Sequence, residues 1–186
     1  MNAIRRATAR DASAIAAIYA PWVATTCVTF ETTAPDADEM VRRIGKHGDR
    51  MPWLVREMDE RVVAYAYATP HRERAAYRWT VETSVYVATD RHRRGIGRDL
   101  YVTLLDVLAR QGHRLALAII TLPNPQSVGF HESLGFTPSG RIVGAGHKLG
   151  DWRDVGWWSR ELAPRGEEMP AEPRTISDVA AMIGLP

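Results

Sequence analysis

Along the chain, blocks of apolar residues at helical spacing alternate with shorter runs at strand spacing. Ile4 to Ala7 fits a short first strand. Asp11 then stands as an N-cap, followed by Ile15, Ile18, Tyr19 and Trp22 at the 3–4 residue spacing of one helix face. Thr25 to Thr33 is rich in β-branched residues and reads as an extended connection. Asp36 or Asp38 starts a second helix carrying Met40, Val41 and Ile44, which ends between Gly45 and Gly48. Trp53 to Arg56 and Val62 to Thr69 form a hairpin around Asp59 and Glu60.

After a charged loop holding His71, Arg72, Glu73 and Arg74, Thr80 to Ala88 alternates β-branched with polar residues and is the clearest strand. Behind Gly95 and Gly97, Ile96, Leu100, Tyr101, Leu104, Leu105 and Leu108 make an apolar helical stripe that ends at Gln111-Gly112. Leu115 to Leu122 is continuously apolar, apart from Thr121, and predicts a buried central strand. Pro123-Asn124-Pro125 breaks it, and a short helix from Gln126 to Leu134 stops at Gly135. The last strands run from Phe136 onward and from Asp154 to Leu162. Helices alternate with strands, yet hairpins are present too, so the pattern predicts an α/β fold with a mixed sheet. Residues 1–163 are expected to form one domain, with 164–186 a Pro-rich C-terminal tail that either wraps the surface or stays solvated.

Composition narrows the class. A chain of 186 residues, 45% hydrophobic, suits one ordinary globular domain. Its 24 basic and 22 acidic side chains nearly balance, so net charge argues for neither a nucleic-acid partner nor a membrane surface. The single cysteine, Cys27, excludes an internal disulfide and is expected to be a buried spectator. Arg5, Arg6 and Arg10 stand near the start without an apolar core behind them, and no stretch approaches about 18 apolar residues. The expectation is a soluble, cytoplasmic protein. The six histidines show no zinc spacing, so no metal is expected.

The informative block is a strand, then Arg91-His92-Arg93-Arg94-Gly95-Ile96-Gly97-Arg98, then an amphipathic helix. Backbone N–H groups at a helix N-terminus lack internal partners and attract phosphate. Glycine removes the Cβ that would hold a phosphate away. A Rossmann fingerprint is absent, since Leu100 and Tyr101 stand where a third glycine belongs, and so is the Walker lysine. Alone, the G-x-G turn is equally an Arg-rich surface loop.

Its context is more specific. The turn follows V-Y-V and precedes the apolar stripe, and YRWTVETSVYV, HRRGIGRDLY, LPNPQSVGFHESLGF and GHKLGDWRDVGWW flank or contain the same block. Together with IRRAT, VTFET and PWLV nearer the N-terminus, these segments resemble the GNAT acetyltransferases, in particular the phosphinothricin and methionine sulfoximine N-acetyltransferase branch, over about residues 2 to 162. The resemblance implies a mostly antiparallel central sheet flanked by helices. It implies an acetyl-CoA-dependent N-acetyltransferase acting on phosphinothricin, methionine sulfoximine or sulfone, or a related small amino acid, and a homodimer. Acetylation of a protein or peptide amine, and a non-catalytic acetyl-CoA sensor, are the competing readings.

By the same resemblance, Val85, Tyr86 and Val87 pair with the pantetheine arm and offer a backbone N–H to the developing oxyanion. Arg93, Arg94, Gly95, Ile96, Gly97 and Arg98 cradle the pyrophosphate, and Asn124 and Ser133 contact the cofactor. An ammonium has no lone pair, so acetyl transfer needs a base. Glu82 matches that acid; it is either the base, directly or through water, or a binder of the substrate ammonium. His131 either assists proton transfer or packs under the cofactor. A tyrosine to protonate the departing thiolate is missing, since Phe130 and Phe136 flank the position. Arg72 and Arg74, with Glu73 between them, lie in the loop before the catalytic strand, where guanidinium groups suit a carboxylate or phosphinate. Glu82, Thr83 and Ser84 are expected beside the same substrate. Trp79, Trp152, Trp157 and Trp158 either wall the pocket or pack the core.

Overall fold

The computed structural model describes residues 3–92, 94–164, 166 and 168–186. Seven strands form one sheet: β1 (Ala3–Arg6), β2 (Trp53–Met58), β3 (Arg61–Pro70), β4 (Thr80–Val87), β5 (Leu115–Leu122), β6 (Thr137–Lys148) and β7 (Asp151–Glu161). Their spatial order is β1-β2-β3-β4-β5-β7-β6. Every neighbouring pair is antiparallel except β4 and β5. The parallel pair requires a crossover, supplied by α3 (Ile96–Gln111). The other helices are α1 (Ala12–Thr25), α2 (Ala37–Gly45), α4 (Pro125–Glu132) and α5 (Ile176–Ile183). The mixed, mostly antiparallel sheet flanked by helices is the expected architecture.

Two cores sandwich the sheet. On one face the α3 stripe (Ile96, Leu100, Leu104, Leu108) packs on Ala64, Ala66 and Val81. On the other, Ile15, Ile18 and Tyr19 of α1 and Met40 of α2 meet Val55 and Tyr65. The β2–β3 turn puts Asp59 and Glu60 at φ of 51° and 62°, the double left-handed geometry that suits the twist of a tight hairpin. Asp36 caps α2, accepting from the Glu39 N–H at 2.8 Å.

Asp11 precedes α1 as expected, but its carboxylate does not cap that helix. It turns back to accept from the Thr8 N–H and from both terminal nitrogens of Arg5, each at 2.8 Å. This buried carboxyl is held below the usual range, chiefly by the Arg5 guanidinium.

The tail carries a helix that the proline-rich composition concealed. Thr175 and Asp178 form a capping box, and Ile176, Val179 and Ala180 of α5 are buried. The Arg174 N–H donates to the Gln111 carbonyl at 2.7 Å, and the Gln111 amide donates to the Arg174 carbonyl at 2.9 Å. The tail therefore closes over the C-terminal end of α3. No helix among the described residues is long and apolar enough to cross a membrane.

Candidate active site

The ladder between β4 and β5 extends only from Thr80 to Glu82 and Leu115 to Leu117. Beyond it, β4 stays paired with β3 and β5 with β7, and a cleft of about 770 Å³ opens between them. Val85, Tyr86 and Val87 line one wall, and Ala118, Ile119, Ile120 and Thr121 the other. A strand edge without a neighbouring strand offers main-chain donors and acceptors to an extended ligand. Tyr86 contributes main chain rather than ring. Its ring turns into the aromatic cluster behind β4, stacked on Tyr65 at 5.3 Å and edge-on to Tyr19 at 4.9 Å.

The mouth of the cleft is the turn into α3. Gly95, the N-cap, has φ of 76°, a conformation that strains any residue with a Cβ. Gly97 serves a different purpose. A Cβ there would stand 3.1 Å from the Val87 side chain, so the missing atom lets α3 lie close to β4. Arg91, Arg94 and Arg98 surround the turn and line the cleft. Free N–H groups at a helix start, with guanidinium groups beside them, fit a pyrophosphate, and the open strand edge fits the amides of a pantetheine arm. The residues present thus suit acetyl-CoA. Arg93 lies outside the described residues. Trp22 and His92, neither of which was expected to contact a ligand, stack at 5.4 Å and line the same mouth.

Asn124 lines the cleft and caps α4, its Oδ1 accepting from the Ser127 N–H at 3.1 Å; the side-chain NH₂ remains its donor for a ligand. Ser133 is not among the lining residues. Its hydroxyl donates to the Phe130 carbonyl and accepts from Arg98 at 2.9 Å, so it steers that guanidinium.

Side chains on β4 divide by face. Glu82, Ser84 and Tyr86 stand opposite Thr69, Tyr67 and Tyr65 of β3, on the α1–α2 side. Thr83 points the other way. Expected beside the substrate with Ser84, it is buried and donates to the Leu117 carbonyl at 3.0 Å while accepting from the Tyr101 hydroxyl at 2.6 Å. Its hydroxyl is taken up by these two partners, although Thr83 still borders the cleft. Burial pushes the Tyr101 phenol well up.

Glu82 Oε1 lies 2.7 Å from Nδ1 of His71, and the Glu82 side chain is 32% exposed. His71 was not marked out by the sequence, because a lone histidine in a charged loop carries no periodic signal. His131 is buried and lines the cleft. Its Nδ1–H donates to the Ser127 carbonyl at 2.7 Å, and its Nε2 has no hydrogen-bond partner among the described residues. Burial lowers its pKa, partly opposed by that carbonyl.

Arg72, Glu73 and Arg74 are exposed and do not line the cleft. They sit on the loop that begins at His71, which puts them nearer Glu82 than the pyrophosphate turn. The tryptophans separate. Trp158 is core and donates to Glu132; Trp79 donates to the Ala171 carbonyl of the tail; Trp157 is half-buried; Trp152 is 66% exposed. Cys27 is half-buried, not fully buried as expected, and borders a smaller cavity of about 370 Å³ with Arg153 and Asn124. Among the described residues no three of His, Cys, Asp or Glu converge as metal ligands.

Comparison with known proteins agrees with this geometry. Residues 4–157 match the acetyltransferase (GNAT) domain model. The chain is 42% identical to a phosphinothricin N-acetyltransferase of Streptomyces viridochromogenes, over 95% of this chain and 93% of that protein. It is 33% identical to an L-methionine sulfoximine/L-methionine sulfone acetyltransferase of Salmonella typhimurium, over 86% of this chain and 94% of that one. A phosphinothricin acetyltransferase from Sinorhizobium meliloti, solved with acetyl-CoA, superposes with a TM-score of 0.87 at 33% identity, covering 92% of this chain and 94% of the other. The chain belongs to the GNAT acetyltransferase family.

Proposed function

We propose that this enzyme transfers an acetyl group from acetyl-CoA to the amino group of a small amino acid bearing a second oxygen-rich group, of the phosphinothricin or methionine sulfoximine/sulfone kind. The observation that carries the reading is the cleft between β4 and β5, which has the phosphate-suited turn at its mouth and Glu82 beside its closed end. The names of the relatives support the substrate class.

Acetyl-CoA supplies the activated acyl group. The chain's own residues do the rest. Arg94, Gly95, Ile96, Gly97 and Arg98 hold the pyrophosphate, and Val85, Tyr86, Val87 and Asn124 hold the arm. Glu82 removes the ammonium proton so that a lone pair is available. His131, which borders the cleft and has an unpartnered Nε2, serves as a second proton acceptor. Ser84, on the Glu82 face, contacts the substrate, while Arg72 and Arg74 grip its acid group from the loop.

A cytoplasmic homodimer is part of the same reading. Strand β6 lies at the sheet edge and exposes Ile142 and Val143, and Trp152 of β7 is exposed farther along the same hairpin, a surface that suits a second copy. Incubation with acetyl-CoA and a panel of L-amino acids, followed by product mass analysis, tests the proposal. A gain of one acetyl group on phosphinothricin or methionine sulfoximine supports it. Acetylation of peptides alone overturns the substrate class.

A further inference from the structure

The Glu82 carboxylate does not stand alone. His71 follows directly on β3, and its backbone N–H donates to the Thr80 carbonyl at 3.3 Å, tying the loop to the start of β4. This places Nδ1 2.7 Å from Glu82 Oε1, although the residues are eleven apart in sequence. The Tyr77 ring meets the imidazole edge-on at 5.6 Å, and the His71 side chain is only 17% exposed. An ionised carboxylate accepts and never donates, so Nδ1 carries the hydrogen of this bond.

We propose that His71 is a positioning residue for acetyl transfer. Its Nδ1–H fixes one oxygen of Glu82, so the carboxylate cannot rotate freely and its second oxygen, Oε2, is presented to the substrate amine. The proposal rests on the reading of Glu82 as the base. A base held in one orientation loses less freedom on reaching the transition state than one on an untethered, one-third exposed side chain. Tyr77 walls the ring on one side, so the imidazole is itself held by packing rather than by the substrate.

Two substitutions separate the donor from the ring. His71→Phe keeps the aromatic volume against Tyr77 and removes the donor. His71→Asn removes the ring and keeps an N–H near the position of Nδ1. With acetyl-CoA and L-phosphinothricin as substrates, His71→Phe is expected to lower kcat about 10- to 100-fold, the usual weight of a hydrogen bond to a charged group. KM for acetyl-CoA is expected to stay unchanged, and His71→Asn to recover most of the loss. In a Glu82→Gln background, adding His71→Phe is expected to change kcat by less than about twofold, because a residue acting through Glu82 has nothing left to position.

Wild-type turnover in His71→Phe, alongside a strong loss in Glu82→Gln, overturns the positioning role and leaves Glu82 as the base. A His71→Phe loss that multiplies fully in the Glu82→Gln background also overturns it, since the effect is then structural. Wild-type turnover in Glu82→Gln overturns the reading of Glu82 itself, and the positioning role with it.

Discussion

Nδ1 of His131 donates to the carbonyl oxygen of Ser127, one helical turn earlier, at 2.7 Å. That bond selects the tautomer, because a carbonyl only accepts. Nε2 is left with its lone pair unpartnered in a buried ring whose pKa is lowered by burial. Nitrogen-15 NMR of the folded protein at pH 7 should therefore report His131 neutral, with hydrogen on Nδ1. Hydrogen on Nε2, or a charged ring, would exclude Nε2 as a proton acceptor.

Gly95 and Gly97 should fail for different reasons when replaced. Gly95→Val forces a branched residue into a left-handed backbone, so the turn that presents the helix N-terminus must rearrange. Gly97→Val drives a side chain into Val87 and wedges α3 away from β4. Calorimetric titration should show acetyl-CoA affinity reduced by at least about 10-fold in each, as expected when a backbone anion site is lost. Unchanged affinity in a folded Gly95 variant would remove the turn from the cofactor site.

All the matched motifs end before residue 163, and on sequence grounds the tail either wraps the surface or stays solvated. The packing of α5 favours the first. Removing residues 165–186 exposes the core surface that Ile176, Val179 and Ala180 cover and strips Gln111 of its Arg174 partner. Burial of these side chains contributes on the order of 3–5 kcal/mol, so the melting temperature should fall by about 10 °C. The cleft lies at the opposite end of α3, so any truncated protein that remains folded should still bind acetyl-CoA. An unchanged melting temperature would show that the helix does not dock in solution.

His113, almost fully buried behind the end of α3, has its pKa lowered to about 4 by burial, opposed in part by the main chain of Arg78. The unfolded chain binds a proton at this residue near pH 6.5, well before the folded one does. Stability from this group is therefore complete above about pH 6.5 and is lost as pH falls towards 4, by up to about 3 kcal/mol. The lowered carboxyls of Asp11 and Asp49 act lower, below their unfolded value of 3.8. Denaturant unfolding at several pH values should show a slope between pH 4 and 6.5 that flattens in His113→Phe. An equal slope in the variant would contradict the assignment.

What the sequence revealed depended on how locally each feature is determined. Leu115 to Leu122 is bounded by Gly112 and Pro123, and the observed strand has those limits. Strand β6 was only loosely readable, because Ser139 to His147 is glycine-rich and largely exposed, so no alternation marks it. Helix α5 was hidden among Pro164, Pro170 and Pro173, although the Thr175 and Asp178 pair is a capping signal. The face of β4 occupied by Glu82 follows from strict alternation, and the same rule sends Thr83 into the core. Contacts between distant segments were out of reach. The pairings of His71 with Glu82 and Gln111 with Arg174 depend on where the chain returns in space, which no local pattern encodes.

Steady-state kinetics across four amines decides which amine is acetylated. The ratio kcat/KM should be highest for L-phosphinothricin or L-methionine sulfoximine, with methionine sulfone close behind. Spermidine should be poor, because it has no acid group to offset desolvation of the arginines near Glu82. Arg74→Ala should raise KM for the amino acid without raising it for acetyl-CoA. The highest kcat/KM for spermidine, or for a lysine peptide measured alongside, would contradict the small-amino-acid reading while leaving the acetyltransferase family intact.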